Sequence, residues 1–108
     1  MEKNIEIVSP NGILDRTASS QFERKVSQCL EAGADIVLID FQDVSFIDSS
    51  GLNALGSAIK AVQSEGKEIF CCSPNDQVKI VFDVSGFDRI LELFEDRDEF
   101  EKKVLSKE

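Results

Sequence analysis

The run Ile36-Val37-Leu38-Ile39-Asp40 constrains the fold most, because it is almost wholly apolar and β-branched. Such a strand must be covered on both faces, as in the middle of a parallel sheet. A helical pattern over 50–65 follows it, with Leu52, Leu55, Ile59 and Val62 on one stripe and Ala54, Ala58 and Ala61 allowing close approach. Gly66 ends that pattern, and 67–72 reads as another strand. Strand, helix and strand make a β-α-β unit with a right-handed crossover and parallel strands.

The flanking segments extend this unit. Asn4 to Val8 alternates as a short strand, expected at an exposed edge, and Ser9-Pro10-Asn11-Gly12 breaks it. Ile13-Leu14-Asp15 leads into a helix over about 17–32, where Phe22, Val26, Cys29 and Leu30 share a face. Ser73-Pro74-Asn75 opens a third helix carrying Val78, Val81 and Phe82, which Ser85-Gly86 closes. Leu91 to Phe94 reads as a last short strand. Asp96 with Glu99 resembles a capping box for a terminal helix bearing Phe100 and Val104. The expectation is one α/β domain spanning 1–108. It has about four strands in a mixed sheet and about four helices packed mainly on one side.

Composition excludes several functions. Twelve basic against twenty-one acidic residues give a net charge of −9, which disfavours nucleic acid and anionic membranes. No apolar run reaches the roughly 20 residues of a membrane span, and no hydrophobic signal region follows the N-terminus, so a cytoplasmic protein without membrane insertion is expected. The chain has no histidine, which rules out Ser-His-Asp and Cys-His catalysis. Cys29, Cys71 and Cys72 have no disulfide-framework or zinc spacing; the adjacent pair should point to opposite faces of a strand. Gly51 and Gly56 have P-loop glycine spacing, but Ser57-Ala58 stands where Lys-Ser/Thr is needed. The charges from Glu95 to Lys103 suit a solvated helix face. No enzyme and no cofactor or metal site is expected.

One stretch remains, Phe46-Ile47-Asp48-Ser49-Ser50-Gly51-Leu52, at the mouth of the 50–65 helix. Unpaired amides there favour an oxygen-bearing cap and tolerate negative charge. On this pattern a serine can be a plain cap, with Asp48 complementing the dipole, or a site for a phosphate. Asn53, Gly56, Ser57 and Lys60 share the helical face of Ser49 and are small or polar, leaving room for a protein partner. A phosphate would add about −1.5 to −2 charges there.

Four stretches, in order, resemble the STAS domain of bacterial anti-sigma-factor antagonists. They are Gly12-Ile13-Leu14-Asp15, the strand 36–40 with Val44 to Leu52, the strand 69–72 with Ser73-Pro74, and Val78 through Phe87. The resemblance implies a STAS fold and a phosphorylation-controlled partner switch. The unphosphorylated antagonist binds an anti-sigma factor that is also a serine kinase. Phosphorylation releases it, and a PP2C-type phosphatase restores binding. Carried over, the acceptor is Ser49, with Ser50 as cap or second choice, Asp48 is the motif acid, and Asp15 lies near the partner surface. Asn53, Gly56 and Ser57 complete the docking face; ATP and magnesium would belong to the kinase. Members commonly start with two antiparallel strands before the Gly-x-Leu-Asp loop, where this chain has room for about one. A monomer or weak homodimer is expected. The alternative is a STAS subunit of another partner-switching or membrane-transport complex.

Overall fold

The structure is a computed structural model that describes residues 3–105. The first strand, β1 (Ile5–Val8), is followed by β2 (Gly12–Leu14) and helix α1 (Arg16–Glu31). Then come β3 (Ile36–Asp40), β4 (Val44–Ile47), α2 (Ser49–Ser64) and β5 (Glu68–Cys72). Helix α3 (Asp76–Ser85), a 3-10 turn (Phe87–Arg89), β6 (Leu93–Phe94) and α4 (Arg97–Phe100) complete the order, with a π-helical turn at Glu101–Leu105.

The main sheet has four strands in the order β1-β3-β5-β6, and every pairing is parallel. The expected mixed sheet is therefore corrected to a parallel one. The reason is connectivity: α1, α2 and α3 each lie between consecutive main-sheet strands, and crossovers return the chain in the same direction. β1 is an edge strand, as expected, and β3 is central and buried throughout.

The pleat divides the core in two. Val37, Ile39, Ile69 and Cys71 face the larger side, with Phe22 and Val26 of α1, Leu55 and Val62 of α2, and Val78 and Phe82 of α3. Ile36, Leu38, Phe70 and Cys72 face the other, where Phe94 and Phe100 cover them. The two adjacent cysteines thus part to opposite faces. Three helices sit on one side, and the last covers the second.

Asp40 ends β3 as the buried charged residue of the core. Its carboxylate accepts from the Gln42 amide at 2.9 Å and from Arg97 Nε at 2.9 Å, which ties α4 to the sheet. The capping box before α4 is only half formed. Asp96 Oδ1 accepts from the Glu99 amide, but Glu99 Oε1 reaches back to the amide of Glu95 rather than Asp96.

A further strand, β4, unexpected from the sequence, leads into the motif. It pairs with β2 in a separate two-stranded parallel sheet, with Ile13 opposite Phe46 and Leu14 opposite Ile47. Leu14 and Ile47 point into the core, while Ile13 and Phe46 remain exposed.

Candidate functional site

The β4–α2 junction places Asp48, Ser49 and Ser50 at the mouth of α2. Asp48 is the N-cap: its backbone is extended, and its Oδ1 accepts from the Gly51 amide at 3.0 Å. This corrects the expectation that one of the serines closes the helix. The aspartate wins because its carboxylate is already where the dipole favours it. The helix consequently starts one residue earlier than expected. Ser49 becomes its first residue, exposed, with Ser50 half-buried behind it. A hydroxyl at the first turn, freed from capping, is available to another molecule.

Gly51 explains how α2 can begin so close to β2. A Cβ built there would overlap the Leu14 carbonyl oxygen and lie 2.8 Å from Ile47 Cγ1. Only glycine lets the helix entrance pack at this distance, so the Ser-Ser-Gly sequence is as much a packing requirement as a chemical one.

Asp15 is brought to the same corner, where it has a structural role of its own. Its carboxylate caps α1, accepting from the Thr17 and Ala18 amides at 3.0 and 3.2 Å. Ser19 Oγ lies 2.7 Å from the Asp15 carbonyl and 3.3 Å from the Ser50 carbonyl. The start of α1 thereby touches the start of α2. Sequence reasoning gave no role to Ser19.

The docking face along α2 is only partly open. Asn53, Ser57 and Lys60 are exposed, but Gly56 is half-buried, with Phe87 Cζ 3.7 Å from the position a Cβ would take. Ser57 turns toward α1, lining a shallow cleft with Glu23, Val26 and Ser27. What reading along one helix missed lies on α3. Phe46, Leu52, Ile80, Val81 and Val84 line an apolar groove of about 330 Å³ with Asp48 and Ser49 at its edge. Phe46, Ile80 and Val84 are exposed, and exposed apolar clusters of this kind mark interaction surfaces. The signal was present in the α3 sequence, where Ile80 and Val84 lie four apart, away from the buried Val78 and Phe82.

Among the described residues no group of His, Cys, Asp or Glu is arranged to hold a metal ion. None of their helices is long and apolar enough to cross a membrane. Burial pushes the thiols of Cys29, Cys71 and Cys72 up, the last to about 11, which keeps them protonated and poor nucleophiles at neutral pH.

The fold and this corner define a small parallel α/β domain that presents an exposed serine at the aspartate-capped mouth of a helix, beside an apolar groove. The STAS domain model matches residues 2–100, and the chain belongs to that family. A Thermotoga neapolitana homologue of TM1081, named as a candidate anti-sigma factor antagonist, is 29% identical over 94 residues. That match covers 86% of this chain and 83% of the relative. The crystal structure of a candidate anti-sigma factor antagonist, TM1081 from Thermotoga maritima, superposes with a TM-score of 0.85 at 27% identity. It covers 93% of this chain and 86% of the other. The anti-sigma factor antagonist SpoIIAA shares the fold in its unphosphorylated form, with TM-score 0.75, 22% identity and coverage of 94% and 89%. The phosphorylated form of SpoIIAA from Bacillus has TM-score 0.69, 20% identity and coverage of 94% and 92%.

Proposed function

We propose that this chain is a cytoplasmic anti-sigma factor antagonist, and that phosphate on Ser49 controls its binding. One observation carries the reading: Ser49 is exposed at the first turn of α2 while Asp48, not the serine, caps the helix. The hydroxyl can therefore be modified without removing the cap. Family membership and the names of the relatives support the anti-sigma factor as partner. The chain acts by binding, and the chemistry of phosphate transfer belongs to an anti-sigma factor that is also a serine kinase. A PP2C-type phosphatase reverses the transfer.

The physical switch is local. In the neutral form a partner covers Ser49 and the groove between Phe46, Ile80 and Val84. Phosphate adds charge beside Asp48 and must be desolvated when the groove is covered, so the complex loosens. The fold need not change, because the amides at the mouth of α2 tolerate the added charge.

The test is tandem mass spectrometry of the protein purified from its host, with and without phosphatase, together with affinity capture. Phosphate at Ser49, and an anti-sigma factor captured by Ser49→Ala but lost by Ser49→Asp, is the expected result. Equal capture by both variants sinks the switch.

A further inference from the structure

Among the described residues, the strand that delivers Ser49 has another strand on only one of its edges. β2 lies on that side, with the Asp48 amide 3.4 Å from the Leu14 carbonyl. On the opposite edge the peptide groups of β4 are met by side chains from the start of α3. Asn75 Nδ2 donates to the carbonyls of Val44 and Ser45, each at 3.1 Å, while its Oδ1 caps α3 at the Val78 amide. Gln77 does more. Its Nε2 donates to the Ile47 carbonyl at 2.9 Å, and its Oε1 accepts from the Ile47 amide at 2.9 Å.

A single side-chain amide thus gives Ile47 the two bonds that a neighbouring strand would give. Ile47 is wholly buried, and a peptide group at such a position is costly to leave unpaired. The requirement is chemically narrow. A primary amide carries one donor group and one acceptor in a fixed plane, whereas a carboxylate offers only acceptors and an aliphatic chain neither. Position 77 is also geometrically apt, because long side chains on a helix lean back toward its N-terminus, and here that is where β4 runs.

We infer that Gln77 is a positioning residue for Ser49. By gripping the Ile47 peptide at both polar groups, it fixes where the acceptor serine, two residues on, stands relative to α3. The same grip sets the spacing between Ser49 and the groove walls Ile80 and Val84. Its consequence for switching rests on the proposed phosphorylation of Ser49; the grip itself is a property of the free protein.

The test uses the full chain carrying genetically encoded phosphoserine at position 49, as wild type and as Gln77→Met and Gln77→Ala. Alanine is well tolerated in helices, so the second variant guards against a packing artefact of the first. Amide exchange followed by NMR should accelerate at Ile47 by about tenfold or more in both variants, as expected for a lost hydrogen-bond pair. The amides of Leu38 and Val62 should stay within about twofold, a separation expected of local rather than global opening. Phosphorus NMR then reads the phosphate itself. Its titration midpoint in the wild type should be displaced by the helix mouth, and should return toward the free value of about 6 in the variants. Unchanged exchange at Ile47, or equal acceleration at Leu38 and Val62, overturns the grip. Faster exchange at Ile47 with an unmoved phosphate titration overturns the positioning of Ser49. Neither result depends on phosphate being found in the host, so failure here is distinct from failure of the proposed function.

Discussion

Gly51 lies directly over the backbone of Leu14, with no space between helix α2 and strand β2 for even a methyl group. The contact joins the Asp48-Ser49-Ser50 turn to the two-stranded sheet. The Gly51→Ala variant must push the Leu14 carbonyl or the Ile47 side chain aside, and neither is free to move, since both are buried. Overpacking of this kind costs about 1–3 kcal/mol, which outweighs the gain of about 1 kcal/mol from alanine's helix propensity. Urea denaturation should show a lower midpoint with an unchanged slope.

Gly56 is the opposite case on the same helix. A Cβ there would meet Phe87 Cζ at 3.7 Å, an ordinary van der Waals contact, and the backbone is helical. The Gly56→Ala variant should therefore stabilise the fold by roughly 0.5–1 kcal/mol, the usual penalty of a mid-helix glycine recovered. The same denaturation measurement checks it. The two substitutions, five residues apart, should move the midpoint in opposite directions.

Why some of this was legible in the chain and some was not follows from the range of the forces. The central strand 36–40, the helical stripes and the stops at Gly33, Gly66 and Gly86 are local patterns, and all three glycines adopt positive φ. The Asp-Ser-Ser-Gly turn was also visible, but the choice of cap was not: serine and aspartate are near-equal caps, and only the extended backbone at Asp48 decides. β4 escaped because Val44-Ser45-Phe46-Ile47 is short, exposes Phe46 and pairs with a three-residue strand. Gln77 and Ser19 could not be read at all. Their partners lie 30 and 31 positions away, and a polar residue on an amphipathic helix looks solvated until its neighbour is known.

The buried thiols make stability fall at alkaline pH. Burial raises Cys72 from 9.0 to about 11, with the nearby Asp40 carboxylate adding to the rise, and burial likewise raises Cys71. An unfolded thiol ionises above about pH 9 while folded Cys72 holds its proton to about 11. Its contribution is therefore whole below about 9 and is lost as pH climbs through that window. Linkage gives a slope of up to about 1.4 kcal/mol per pH unit for one thiol. Urea midpoints between pH 8 and 10.5 should decline less steeply in Cys72→Ala than in the wild type.

Asp48 combines a structural and an electrostatic role, and these can be separated. Its Oδ1 holds the Gly51 amide at 3.0 Å, a bond an asparagine oxygen can also make. The Asp48→Asn variant should therefore keep stability within a few tenths of a kcal/mol, whereas Asp48→Ala should lose about 1 kcal/mol. Binding should divide them differently. If like charge beside Ser49 helps phosphate to expel the partner, removing the charge but keeping the cap narrows the gap in affinity between the Ser49 and phospho-Ser49 forms. Calorimetric titration of both forms against the anti-sigma factor measures that gap directly. A gap as wide in Asp48→Asn as in the wild type would assign the release to desolvation of the phosphate over the Phe46–Val84 groove, with no part for the aspartate's charge.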